Sequence, residues 1–149
     1  MELKKELFLM CQDYVNNRLK TVQEIISSNQ NALQSETKSS AGDKHETGRA
    51  MLQLEMEKAS QQLVGITQMN EILARIDVNK SSSKAHLGSV VFTDKANFFL
   101  SISAGQLEVL NDKFFAISVS SPIGKMLLGK EENDNFIFNG NSIKVLKIR

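Results

Sequence analysis

The sequence predicts an α+β protein in which an antiparallel helical hairpin precedes a mainly antiparallel sheet with one short helix. Composition changes near residue 80, because the first 80 residues contain no proline and only Phe8 and Tyr14 as aromatic residues, whereas the remainder holds Pro122 and seven of the eight phenylalanines. Before this point apolar residues recur every three or four positions, and after it they occur in short strand-like runs. Helix-forming residues therefore dominate the first half and sheet-forming residues the second.

The first arm of the hairpin is predicted from an apolar stripe in the first 33 residues. Gaps of three and four keep such a stripe on one face of a helix. Its members are Phe8, Cys11, Val15, Leu19, Val22, Ile26 and Leu33. Cys11 is therefore expected to be a core residue rather than a nucleophile.

A second stripe predicts the other arm, with a period close to the 3.5 residues of a coiled coil. Its members are Leu52, Met56, Ala59, Leu63, Ile66 and Leu73, with Asn70 on the same heptad seam. A polar residue within a seam lowers stability but helps to fix register. Residues 35–50 between the stripes contain no large apolar side chain, so we expect two antiparallel helices joined by a polar tip.

The predicted domain boundaries follow from these patterns. The hairpin occupies residues 1–78 with its tip near 35–50, residues 79–86 form a linker rich in small polar residues, and residues 87–149 form the sheet domain. Five runs have strand-like composition, namely 89–92, 97–102, 114–119, 135–138 and 142–148. Asn139-Gly140 predicts a tight turn between the last two strands.

Two consecutive phenylalanine pairs, Phe98-Phe99 and Phe114-Phe115, belong to predicted strands. Because neighbouring residues of a strand point to opposite faces, we expect one ring of each pair to be exposed. A short helix is predicted after the second pair. Ser121 is a good N-cap, Pro122 suits the first helical position, and Gly129 suits the position after the helix end.

Charge and cysteine content exclude several classes of protein. Eighteen basic and seventeen acidic residues give a formal charge of +1, which argues against bare nucleic acid as the main partner and against specific DNA binding. No apolar stretch is long enough to span a membrane, and the N-terminal residues carry charges unlike those of a secretory signal. A single cysteine makes a disulfide framework impossible, so a reducing cytoplasm is the expected location.

Residues 117–131 read Ile-Ser-Val-Ser-Ser-Pro-Ile-Gly-Lys-Met-Leu-Leu-Gly-Lys-Glu, and this run closely resembles the C-terminal domain of the bacterial Gre transcript-cleavage factors. That family combines an N-terminal antiparallel coiled coil with a C-terminal FKBP-like domain, and it carries Gly-Asp-x-x-Glu at the coiled-coil tip. Here Gly42-Asp43-Lys44-His45-Glu46 stands at the predicted tip. Both landmarks occur in the family's order, so the resemblance covers nearly the whole chain and implies an FKBP-like fold for residues 87–149.

The resemblance implies a transcription elongation factor that binds RNA polymerase. The FKBP-like domain, with Ser121 and Pro122 as partner-binding residues, would dock at the rim of the polymerase secondary channel. Asp43 and Glu46 would be the catalytic carboxylates, which help to hold a Mg²⁺ ion shared with the polymerase active centre near the 3′ end of backtracked RNA. On this interpretation the chain is not an enzyme by itself and binds no metal tightly when isolated.

Three alternatives remain open from the residues. The tip departs from the family pattern at Lys44, Thr47, Arg49 and Ala50, and three acidic residues between positions 36 and 49 are balanced by three basic ones. A Gre-like regulator that occupies the channel without stimulating cleavage would fit such a tip. A prolyl isomerase would need an enclosed aromatic pocket, whereas the chain has no tryptophan and its only tyrosine, Tyr14, lies on the hairpin. A coiled-coil adaptor for another partner would make the match of both landmarks a coincidence.

Overall fold

A computed structural model describes residues 2–38 and 42–149, without the side chains of residues 36–38 and 42–46. Two long helices come first and a six-stranded sheet with one short helix follows, so the α+β class is confirmed. The elements are α1 Glu2–Lys38, α2 Gly42–Ala74, β1 Val90–Thr93, β2 Asn97–Ser101, β3 Gly105–Val109, β4 Asp112–Ser118, α3 Pro122–Leu127, β5 Asn135–Phe138 and β6 Asn141–Ile148. The chain divides into two compact units, a helical unit, Val15–Met69, and a sheet unit that combines Met1–Tyr14 with Asn70–Arg149.

The helical unit is built from the facing stripes of α1 and α2. Val22 of α1 and Ala59 and Ile66 of α2 are buried, while the outer positions are mostly exposed. Ile25 of α1 and Gln62 of α2 line the same groove, as expected for antiparallel neighbours. Burial of these apolar side chains supplies the stabilisation that isolated helices lack.

The seam differs from the sequence prediction at two asparagines. Asn70 is exposed, because the inner column of α2 runs at seven-residue intervals through Ala59, Ile66 and Leu73, while the flanking Met56 and Leu63 are only half-buried. The buried asparagine is instead Asn29 of α1, which continues the heptad spacing of Val15 and Val22. Its side-chain Nδ2 has no hydrogen-bond partner among the described residues.

The sheet unit has the strand order β3-β4-β2-β1-β6-β5. Four pairings are antiparallel, and β2 pairs with β4 in parallel. Strands β2 and β4 run parallel because the intervening strand β3 reverses the chain and pairs with the outer edge of β4. The sequence analysis missed β3 because its residues, Gly-Gln-Leu-Glu-Val, have little strand propensity. As an edge strand it is held by five register pairs with β4, which lies between β2 and β3.

Both faces of the sheet are covered over its centre. Phe98 of β2 belongs to a core with Leu127 of α3, whereas Phe99 and Ser101 point to the opposite face. There the Ser101 Oγ lies 3.6 Å from the Sγ of buried Cys11. Phe98 and Phe99 are therefore both buried, and the expectation of one exposed ring is wrong for this pair.

The second phenylalanine pair follows the expectation. Phe114 is 1 % exposed and packs edge-on against Phe92, whereas Phe115 is 37 % exposed. Phe115 lies in register with Phe98 of β2, on the face that α3 covers. It is reached by solvent because β4 has only the edge strand β3 on its far side.

Two hairpins of the sheet close through two-residue turns. Asn139 and Gly140 have φ of 50° and 79° between β5 and β6, as a type I′ turn requires, so the predicted turn is confirmed. The β3–β4 turn has the same sign of φ, at Leu110 (52°) and Asn111 (68°). A bulky apolar residue is unusual at this position.

Candidate functional site

Helix α3 forms as its sequence predicts. The Ser121 Oγ accepts a hydrogen bond from the Gly124 amide at 3.1 Å and donates one to the Ser118 carbonyl at 2.6 Å. Pro122 occupies the first turn, where its missing N–H costs nothing. Gly129, at φ 82°, follows the helix end in the left-handed conformation that favours glycine.

A close approach to the backbone explains why position 124 of the Ser-Pro-Ile-Gly segment is glycine. A Cβ at this position would overlap the carbonyl oxygen of Ser118 and would lie 2.9 Å from the Ser121 Oγ. That carbonyl also accepts the Ser121 amide, at 3.0 Å, and so cannot move without disturbing the cap. Ser121 and Gly124 thus hold α3 in a fixed position against the end of β4.

The outward side of α3 is the part that a partner can reach. Pro122 and Lys125 are exposed and Leu128, just after the helix, is 39 % exposed, and their spacing of three residues places them on one side. Gly124 and Leu127 are buried on the other side. We call Pro122, Lys125 and Leu128 the α3 face; it presents apolar surface and one cation.

Backbone hydrogen bonds join the predicted linker to the segment that follows α3. The Ala85 amide donates to the Lys130 carbonyl, and the Gly129 amide donates to the Ala85 carbonyl, both at 2.8 Å. Next to Ala85, the Nδ1 of His86 lies 2.9 Å from the Ser89 Oγ. The buried Nε2 of His86 has no hydrogen-bond partner within the described ranges.

The predicted catalytic carboxylates lie at the start of α2. Asp43 and Glu46 fall within the range of α2, and their side chains lie outside the described residues. Among the residues that are described, no group of three or more histidine, cysteine, aspartate or glutamate side chains could hold a metal ion. A role in Mg²⁺ binding therefore remains a prediction.

Lys4 is a buried residue that the sequence analysis missed. Its side chain is fully buried, and its Nζ donates a 2.6 Å hydrogen bond to the Lys80 carbonyl. Desolvation lowers the pKa of Lys4, although the charge of Asp77 opposes this effect. The spacing of Lys4, Leu7 and Cys11 could have predicted this burial, because it places the lysine on the apolar stripe of α1. The same spacing places Leu7, rather than Phe8, in the core.

The turns of the sheet unit also border an open concavity of about 460 Å³. Its lining is mostly polar and includes Asp94, Lys95, Asp112 and Lys113, with Phe115 as its single aromatic residue. An enclosed aromatic pocket for proline would need more rings around a closed space. This concavity gives a prolyl isomerase reaction no support.

The fold defines an α+β protein that joins a long helical pair to a six-stranded sheet, with the α3 face as its best-defined candidate docking site. No protein-family model matches the chain, and a search of curated proteins found no match either. Over their described residues, none of the helices combines the length and the apolar character needed to cross a membrane.

Proposed function

We propose that the chain is a Gre-type transcription elongation factor that binds RNA polymerase at its secondary channel and stimulates cleavage of backtracked RNA. The observation that carries this proposal is the pair of long helices joined near Asp43 and Glu46, followed by a sheet unit that contains the Ser121-Pro122 segment. The proposal includes an FKBP-like fold for the sheet unit and a cytoplasmic location, where the polymerase acts. Such a factor acts on the polymerase active site and is not an enzyme alone.

The dimensions of the helices suit insertion into a channel. Within the helical unit, α1 contributes residues 15–38 and α2 contributes residues 42–69, which correspond to about 36 Å and about 42 Å at the usual rise per residue. In the helical unit, the small inner residue Ala59 allows close approach, and most other positions carry exposed side chains. A two-helix element of this length is narrow enough to enter a pore that a globular domain would block.

The sheet unit would supply the docking surface. Ser121 is engaged in capping α3, so its contribution to docking is to position the helix. Pro122 and Lys125 are exposed and are the residues that we expect to contact the polymerase. The apolar surface of Pro122 and Leu128 and the charge of Lys125 suit a protein surface with an acidic margin.

The tip would supply the chemistry. Mg²⁺ in phosphoryl-transfer sites is typically held by one or two carboxylates together with phosphate oxygens and water, so Asp43 and Glu46 suffice only if the polymerase provides the other ligands. A second metal ion stabilises the attacking and leaving oxygens of a phosphodiester. The isolated chain is expected to bind Mg²⁺ only weakly.

The charge of the tip supports a second candidate function. Between residues 36 and 49, Lys38, Lys44 and Arg49 balance the three acidic residues. A tip without net negative charge attracts Mg²⁺ less strongly than an acidic one. The alternative is therefore a Gre-like regulator that occupies the secondary channel without stimulating cleavage.

A cleavage assay with stalled, backtracked elongation complexes tests the proposal. Shortening of 3′-extended RNA would be followed in Mg²⁺ with the wild-type chain, with the double variant Asp43→Ala, Glu46→Ala, and with the matched control Glu57→Ala, Glu71→Ala. The control removes two exposed carboxylates of the same helix away from the tip. We expect faster shortening with the wild type and the control, and no acceleration with the tip variant although it still binds polymerase.

Other outcomes separate the alternatives. Binding of the wild type without acceleration would favour the channel-occupying regulator. Equal acceleration by the tip variant would remove Asp43 and Glu46 from the mechanism. Failure of the wild type to bind polymerase would refute both functions.

A further inference from the structure

A cleft lies within the sheet unit between the first turns of α1 and the β3–β4 turn. Its volume is about 300 Å³, enough for one or two side chains of a partner. The described residues that line it are Glu2, Leu3, Glu6, Glu108, Val109 and Leu110. This acidic cleft is separate from the α3 face and from the hairpin tip, which share none of these residues.

Leu110 is the least expected residue of the acidic cleft. It is 92 % exposed and adopts φ 52° in a two-residue turn, where asparagine, aspartate or glycine is usual. The corresponding turn between β5 and β6 has Asn139. Both its hydration and its backbone conformation are unfavourable for leucine, and strain of this kind often marks a functional position.

The charge of the acidic cleft has one sign. Three of its six lining residues are glutamates, and none of the six is a lysine or an arginine. Glu108 lies opposite Lys113 in the β3–β4 register, so Glu2 and Glu6 make the main contribution. Glu2 also stabilises the helix N-terminus, whereas Glu6 lies one turn further along, where that effect has faded.

We propose that the acidic cleft docks a segment of a protein partner in which an apolar side chain is flanked by lysine or arginine. The apolar side chain packs against Leu3, Val109 and Leu110, and the flanking cations face the glutamates. Charge complementarity favours this occupant, because the same glutamates repel phosphate groups of nucleic acids and lipids. This proposal is independent of the proposed polymerase function.

The experiment is a selection of random dodecapeptides displayed on phage against the full chain, with a parallel selection against Leu110→Asn. Asparagine suits the turn, so this variant is expected to fold, which thermal unfolding by circular dichroism would verify. We expect peptides enriched only by the wild type to contain an apolar residue with lysine or arginine within a few positions. Enrichment that does not depend on Leu110, enrichment of acidic peptides, or no enrichment would overturn the proposal.

A second measurement uses the most enriched peptide, synthesised with a fluorescent label. We expect Leu110→Asn and Glu6→Lys each to weaken binding by about tenfold or more, as loss of a buried anchor or of its charge partner does. The matched control is Ile137→Asn, which removes a 69 % exposed apolar residue from β5, at the opposite edge of the sheet. Equal weakening by the control would refute a specific site.

A second copy of this chain is the competing occupant, because Leu146 is 49 % exposed between Lys144 and Lys147. Sedimentation velocity over a range of concentrations distinguishes it. We expect the wild type and Leu110→Asn to behave alike. Self-association that Leu110→Asn abolishes would overturn the proposal of a different protein partner.

The cleavage assay is expected to respond to the tip variant and not to Leu110→Asn, so failure of either proposal is recognisable by itself.

Discussion

Replacing Gly124 by alanine tests whether the Ser-Pro-Ile-Gly segment is primarily a structural device. The new Cβ would overlap the carbonyl oxygen of Ser118, a backbone atom at the end of β4. Ser118 also pairs with Ser101 in the parallel β2–β4 ladder, so the strand cannot shift easily. The remaining route for relief is displacement of α3, which breaks the Ser121 cap.

The expected loss of stability follows from the contacts that the substitution changes. Overpacking against a fixed neighbour costs about 1–3 kcal/mol. Loss of the 3.1 Å hydrogen bond from the Gly124 amide to the Ser121 Oγ adds about 1 kcal/mol. The lower conformational entropy of alanine in the unfolded chain offsets about 0.5–1 kcal/mol of this loss. We therefore expect Gly124→Ala to lower the free energy of unfolding of the sheet unit by roughly 2 kcal/mol.

Amide hydrogen exchange is the appropriate assay, because two compact units need not unfold together. Protection of the β1 and β2 amides reports on the sheet unit. The matched control is Gly65→Ala in α2, where a new Cβ meets nothing within 4 Å and helix propensity predicts a gain of about 0.5–1 kcal/mol for the helical unit. Unchanged protection in Gly124→Ala would refute the steric argument.

Three further substitutions test individual features of the fold. Leu110→Asn is expected to raise the free energy of unfolding in urea by about 1 kcal/mol, because asparagine tolerates positive φ; a loss would mean that Leu110 packs within the chain. Asn29→Leu is expected to stabilise the helical unit by about 1 kcal/mol in thermal melts, because it removes a buried Nδ2 without a described partner, and a lower melting temperature would contradict this reasoning. Burial lowers the pKa of Lys4 from 10.5, so between the lowered pKa and 10.5 the folded state binds fewer protons than the unfolded state. The wild type is therefore expected to gain stability relative to Lys4→Met as the pH rises through this range. Urea titrations at several alkaline pH values would measure this gain in the free energy of unfolding. Parallel pH profiles of stability for the two proteins would contradict the prediction.

Local rules of the sequence predicted α3 and the β5–β6 turn well. Ser121, Pro122 and Gly129 each favour one backbone conformation, and the Ser121 side chain bonds only to the nearby Ser118 and Gly124 backbone. Asn139-Gly140 has the same property. Such positions are predictable because the decisive interactions lie within a few residues.

Long-range packing decided the features that the sequence left open. Strand β3 forms because β4 offers a free edge, not because its own residues favour a strand. Phe99 is buried because the sheet has a second covered face, where Ser101 meets Cys11 of α1. The choice of Asn29 over Asn70 for burial depends on how α1 and α2 face each other, which heptad counting does not determine.

The stereochemistry of α3 gives two residues of the Ser-Pro-Ile-Gly segment structural roles that need no partner. Ser121 caps the helix, and Gly124 permits its close approach to the Ser118 carbonyl. If the sheet unit docks on a partner as proposed, the contacts would come from the α3 face, whose only charged residue is Lys125. If the sheet unit binds polymerase, Lys125→Glu should weaken binding without lowering protection of the β1 and β2 amides, whereas Ser121→Ala should lower both. A variant at Lys125 that binds as tightly as the wild type would leave the Ser-Pro-Ile-Gly segment with a structural role alone.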